Sequence, residues 1–119
     1  SLSRKANGAM LKAGGPPAML LPATAQAVAL AIHELATNAA KYGAFSSARG
    51  FLQVSWSVSD DRLNVTWDET EGPAVDHVGE PGFGTRLLLS ALRPFDGKTE
   101  ISYLRTGVHC TMQCRIPAS

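Results

Sequence analysis

Glu34, Asn38 and Lys41 stand at i, i+4 and i+7 within a run from Ala23 to Tyr42 that is rich in Ala, Leu, Glu and Lys. On a helix that spacing lines all three along one flank. A carboxylate, an amide oxygen and an ammonium so arranged suit a hydrated Mg²⁺ and the phosphates it carries. An exposed flank laced by side-chain pairs accounts for Glu34 and Lys41 as well, but Asn38 fits that reading poorly. Asn is a weak helix former, and here it stands among alanines. The second candidate is Glu69, which shares a period-2 face with Leu63, Val65 and Trp67. A strand continued through it turns the carboxylate inward. Burying an unpaired carboxylate is costly, so an inward Glu69 calls for N–H donors, an adenine exocyclic amine among them. The competing reading ends the strand at Trp67 and leaves Glu69 in water with Asp68 and Glu71. The third candidate is Gly82-Phe83-Gly84-Thr85-Arg86, running into a second helix. Glycines permit close backbone approach, and free N–H groups at a helix start favour phosphate. Thr85 is placed to cap that helix and Arg86 to meet a phosphate. A flexible turn would look the same, and both the third glycine of a dinucleotide fingerprint and the lysine of a P-loop are missing.

These residues need a scaffold, and 119 residues supply one domain, spanning 1–119. Apolar residues form 45% of the chain and charged residues 18%, which excludes a disordered or coiled-coil chain. A net charge of +1 leaves no electrostatic footprint for nucleic acid. No apolar run nears the ~20 residues of a bilayer span and no signal peptide opens the chain, so direct membrane insertion is not expected. Cys110 and Cys114, four apart on one expected strand, would lie about 13 Å apart, beyond disulfide reach. They read as buried thiols of a cytoplasmic protein, without the neighbouring ligands of a zinc site. The start at Ser1-Leu2 reads as a piece of a longer protein.

The expected elements follow from pattern. Gly14–Pro17 turns between two short edge strands, Ala9–Lys12 and Ala18–Leu21. The long helix then presents Val28, Ile32, Leu35, Ala39 and Tyr42 to a sheet and stops at Gly43. Leu52, Val54, Trp56 and Val58 alternate with polar residues, turn at Asp60-Asp61, and return as Leu63, Val65 and Trp67. Glu69 to Gly84 reads as loop, Thr85–Leu92 as a shorter helix ended by Pro94. A last hairpin pairs Thr99–Leu104 with Val108–Ile116. The fold class is α+β: a two-layer sandwich with helices on one face of a mixed, mostly antiparallel sheet.

Taken in order, the three candidates resemble the motif boxes of one family. The 11-residue run His33-Glu34-Leu35-Ala36-Thr37-Asn38-Ala39-Ala40-Lys41-Tyr42-Gly43 is similar to the N box of bacterial sensor histidine kinases. Its His, together with Trp67-Asp68-Glu69, resembles the HWE subfamily, and Gly82-Phe83-Gly84-Thr85-Arg86-Leu87-Leu88 resembles its G2 box. The resemblance runs from about Ala9 to Pro117. It implies the Bergerat ATP-binding fold, with ATP and Mg²⁺ as cofactors. By that resemblance Asn38 ligates Mg²⁺, Lys41 contacts phosphate and Tyr42 packs near the nucleotide. Glu34 orients the reacting group beside the marker His33, and Glu69 takes the adenine. Gly72 to Gly82 form a short ATP lid, and Gly84, Thr85, Arg86 and Leu87 belong to the phosphate end.

The implied activity is transfer of the γ-phosphoryl group to a histidine on a separate, upstream dimerisation domain. A response regulator follows as the further partner of a two-component system. None of His33, His77 and His109 has the helical setting of a phosphoacceptor, so the chain is expected to bind ATP without phosphorylating itself. One departure stands out: the family's Gly-Gly-Pro is Glu71-Gly72-Pro73 here. A Glu71 crowding the pocket would favour a second function, a degenerate module that docks partners in a phosphorelay without binding nucleotide. An ATPase or serine kinase on the same fold is disfavoured by the Trp-x-Glu signature.

Overall fold

Pro22 sits at the first turn of a helix over Pro22–Lys41, where its missing N–H costs nothing. This computed structural model describes residues 2–6, 9–72 and 83–117. The elements are β1 (Leu2–Ala6), β2 (Ala9–Gly14), α1 (Pro22–Lys41), β3 (Phe51–Ser59), β4 (Arg62–Thr70), α2 (Phe83–Ser90), β5 (Lys98–Leu104) and β6 (Gly107–Arg115). Single 3₁₀ turns lie at Ala44–Ser46 and Arg93–Phe95. The six strands form one sheet in the order β1-β2-β3-β4-β6-β5. Only β2 and β3 run parallel, because α1 carries the chain across between them. This is the expected two-layer α+β arrangement.

Strict alternation decides which face is covered. Leu52, Leu63, Val65, Trp67, Cys110, Met112 and Cys114 point to the helices and are buried with Leu35, Ala39, Leu88 and Leu92. The opposite face carries Gln53, Ser55 and Ser57 on β3, Asn64 and Thr66 on β4, and Thr111 and Gln113 on β6. That face also holds a cross-strand contact between Asp68 and His109. Arg62 pairs with Asp96, and Arg115 with Asp61, at the other end of the sheet. Exposed pairs of this kind are each worth about 0–1 kcal/mol, so apolar burial does the work of holding the layers.

Three expectations change. Ala18–Leu21 is not a strand; β1 takes the edge instead, and residues 15–21 cross the sheet as an extended connection. Pro16 and Pro17 have no N–H for a ladder, and the Pro16 carbonyl accepts the Trp56 indole N–H at 2.6 Å. Tyr42 leaves the apolar stripe. The helix ends at Lys41, so the 3.6 period no longer carries Tyr42 to the sheet, and it stands 71% exposed at the C-cap. The loop expected from Glu69 begins later, since β4 runs on to Thr70 and pairs with β3 throughout.

Burial pushes the Cys110 thiol up to about 12 and raises Cys114 as well. A thiol whose folded pKa exceeds its unfolded value stabilises the fold fully below about pH 9 and loses that contribution as pH climbs toward 12. The urea midpoint of the chain is therefore expected to fall between pH 9 and 11. Cys110→Ala should flatten part of that fall, and an unchanged slope would refute the assignment.

Candidate nucleotide-binding site

The site is built on Glu69. Its side chain is 4% exposed, on the inward face with Trp67 two residues earlier. Residues two apart on a strand share a face, so the Trp67 indole N–H reaches back to Glu69 Oε2 at 2.8 Å. The Ala44 backbone N–H donates to Oε1 at 2.9 Å. The Trp-x-Glu spacing thus has a physical reason: the indole is the donor that makes the buried carboxyl group tolerable. Two protein donors engage a group with about four acceptor positions, which leaves acceptor capacity for a ligand.

Glycines let the backbone close around this group. A Cβ on Gly43 would lie 2.1 Å from Glu69 Oε1, so the residue that stops α1 also makes room for the carboxyl. Gly107 has φ +142°, and a Cβ there would sit 1.9 Å from the Glu69 carbonyl oxygen. Gly72 abuts the backbone of Gly43 and Ala44, with 3.1 Å for a Cβ. The end of α1, the end of β4 and the start of the candidate lid are therefore one packed junction.

The helical candidates ride on the last turns of unbroken α1. Glu34 and Asn38 are half-buried, whereas His33 and Lys41 are exposed. The His33 carbonyl accepts the Thr37 hydroxyl at 2.8 Å, and its ring stays at the surface. The Asn38 carbonyl accepts the Tyr42 N–H at 2.8 Å, leaving its amide side chain for other partners. Among the described residues no three His, Cys, Asp or Glu side chains converge on a metal position, so an all-protein cage is not what Asn38 belongs to. An amide oxygen contributing one ligand beside phosphate oxygens matches the way Mg²⁺ is usually held.

Helix α2 packs against α1 and holds Gly84, Thr85, Arg86 and Leu87. Thr85 does not cap this helix. It is the third helical residue, and its side chain is hydrogen-bonded to Tyr103 of β5. Arg86 is exposed and Leu87 half-buried. Gly82 and the lid beyond Gly72 lie outside the described residues. Sequence reasoning missed Ala44, Gly107 and Tyr103. A glycine after the Arg105-Thr106 turn was a visible signal for the second, but nothing local marks the other two.

No protein-family model matches the chain. Over 99 residues, 79% of the chain, it is 34% identical to the blue-light-activated histidine kinase of Brucella ovis, of which it spans 20%. It is 39% identical over 97 residues to blue-light-activated histidine kinase 1 of Erythrobacter litoralis, spanning 27% of that protein. The chain belongs to the histidine kinase family. This histidine kinase chain superposes on the histidine kinase domain of the Erythrobacter litoralis EL346 protein with a TM-score of 0.74. That match covers 89% of the chain and 51% of the solved one at 20% identity. The catalytic domain of the histidine kinase ThkA matches at 0.68, over 92% and 80%, with 12% identity. These likenesses show the catalytic-domain fold.

The departure at Glu71 also has a local explanation in this histidine kinase chain. Glu71 has φ +60° and an exposed side chain. Left-handed backbone favours glycine, so a glycine at this position is accounted for by conformation, and Glu71 need not crowd a pocket. Glu71→Gly is expected to raise stability by about 0.5–1 kcal/mol, since relief of strain outweighs the added unfolded-state entropy. Chemical denaturation checks this, and a loss of stability would contradict it. Nucleotide affinity should stay within about twofold, because the side chain points to solvent.

Proposed function

We propose that this histidine kinase chain binds Mg-ATP and donates the γ-phosphoryl group to a histidine on a separate dimerisation domain, in two-component signalling in the bacterial cytoplasm. The observation that carries the reading is the buried Glu69, fixed by Trp67 and Ala44 at the end of the helix that bears Asn38. Glu69 has unused acceptor positions for a purine amine. Asn38 is the Mg²⁺ ligand of this reading. Bound Mg²⁺ supplies charge neutralisation on the phosphate oxygens. Lys41 and Arg86 are exposed cations able to reach phosphate, while Gly84 and Leu87 place the first turn of α2 beside them. Tyr42, exposed at the helix end, lies over the nucleotide, and Gly72 lets the lid leave the junction. Glu34, with His33 beside it, orients the incoming imidazole. That ring nitrogen attacks the γ-phosphorus, the bond to the β-phosphate oxygen breaks, and ADP leaves.

Phosphoryl transfer asks mainly for positioning and charge, and these residues supply both without a covalent intermediate on this chain. A response regulator is the downstream partner. Among the described residues no helix is long and apolar enough to cross a membrane.

The test combines this chain with the histidine-bearing dimerisation domain of the same protein and γ-labelled ATP. Label on a histidine of that domain is the expected result. ATP binding without any transfer would favour the docking module, and absence of ATP binding would end the kinase reading. Glu71 was the residue in favour of the docking module, and its exposed, left-handed geometry removes that support.

A further inference from the structure

Tyr103 belongs to none of the three motif boxes, yet it lies between two of them. It is on the inward face of β5 with Thr99 and Ile101, and it pairs in register with Val108 of β6. The next strand in from β6 is β4, whose register with β6 runs from Arg62↔Arg115 to Asp68↔His109. Continued by one residue, that register brings Glu69 level with Val108. Tyr103 and Glu69 therefore share a row on one face of the sheet, two strands or about 10 Å apart. β5 is an edge strand, and α2 packs over it. Thr85, in the first turn of α2, is hydrogen-bonded to the Tyr103 hydroxyl. The phenol is raised chiefly by burial, then by Cys110 and, more weakly, by Glu69, while the Thr85 hydrogen bond draws it the other way. Its surroundings are thus the carboxyl end and the phosphate end of the site at once.

We propose that Tyr103 is a positioning residue of the nucleotide site, whose hydroxyl holds Thr85 and the first turn of α2 in register for the phosphate groups. This rests on the ATP-binding reading above. A helix start presents its free N–H groups to an anion only while the turn is held still. Nothing else described at Thr85 ties its side chain to the sheet. The phenol acts through Thr85, so it should matter for the phosphates and not for the base. The ring itself fills the space beneath α2, which Phe can do equally well.

The test compares MgATP and adenosine on the full 119-residue chain by fluorescence titration, for wild type, Tyr103→Phe, Thr85→Val and the double variant. Tyr103→Phe is expected to weaken MgATP about fivefold, the worth of one ordinary hydrogen bond, and to leave adenosine unchanged. Thr85→Val should give a similar loss, and the double variant no more than either alone, because both remove the same link. Equal losses for adenosine and MgATP, an additive double variant, or unchanged affinity in Tyr103→Phe would each overturn the proposal. Wild-type chain that binds neither probe would overturn the ATP-binding reading itself, and that result is read before any variant is compared. Thermal melts of all four proteins separate a folding defect from a binding one, with Thr85→Val carrying the comparison should Tyr103→Phe not fold.

Discussion

Glu69→Ala is expected to destabilise the chain by about 4 kcal/mol, a large part of the ~5–15 kcal/mol that holds a domain together. The substitution strands two donors, the Trp67 indole N–H and the Ala44 N–H, of which the carboxyl is the acceptor. A buried donor left without a partner costs about 1–3 kcal/mol, and the vacated volume adds to that. Glu69→Gln keeps the volume but not the chemistry. One amide oxygen can serve one donor, while the amide NH₂ faces the other, so a cost of about 2 kcal/mol is expected. Urea denaturation of both variants measures this. An alanine variant within 0.5 kcal/mol of wild type, against the ~4 kcal/mol expected, would mean the carboxyl is not held as described.

Asn38→Ala separates function from stability in the opposite sense. Alanine is the better helix former by roughly half a kcal/mol, and Asn38 is half-buried on the flank of α1 with no side-chain hydrogen bond among those described. The variant should therefore melt at the same temperature or slightly higher. Its affinity for MgATP should fall about a hundredfold, because the one amide oxygen offered to Mg²⁺ is gone. Affinity for adenosine, which brings no metal, should not change. Titration calorimetry with and without Mg²⁺ distinguishes these outcomes. Equal MgATP affinity in wild type and variant would remove Asn38 from the site.

How much of this was legible beforehand differs from element to element. The alternation of β3, β4 and β6 placed every buried residue of the hairpins on its correct face, because a period of two leaves no intermediate positions. The helix start at Pro22 and its stop near Gly43 were equally plain. Tyr42 was misplaced because the periodic pattern continues by one residue past the point where the backbone leaves the helix. Ala18–Leu21 carries apolar residues like an edge strand, but two prolines and the Trp56 contact hold that stretch off the ladder. Thr85 looked like a cap since the residue types of a cap and of a first turn overlap; only the helix start at Phe83 separates them.

The order of residues by itself determined the fold class, the candidate flank of α1 and the inward side of β4, for each depends on spacing within one segment. It left Glu69 balanced between solvent and core. That balance was decided in three dimensions, by donors 2 and 25 residues away in the chain and by glycines at 43 and 107 that clear the space. A local pattern can say which way a carboxyl points. Whether it can stay buried depends on what other segments bring to meet it, and that is a property of packing alone.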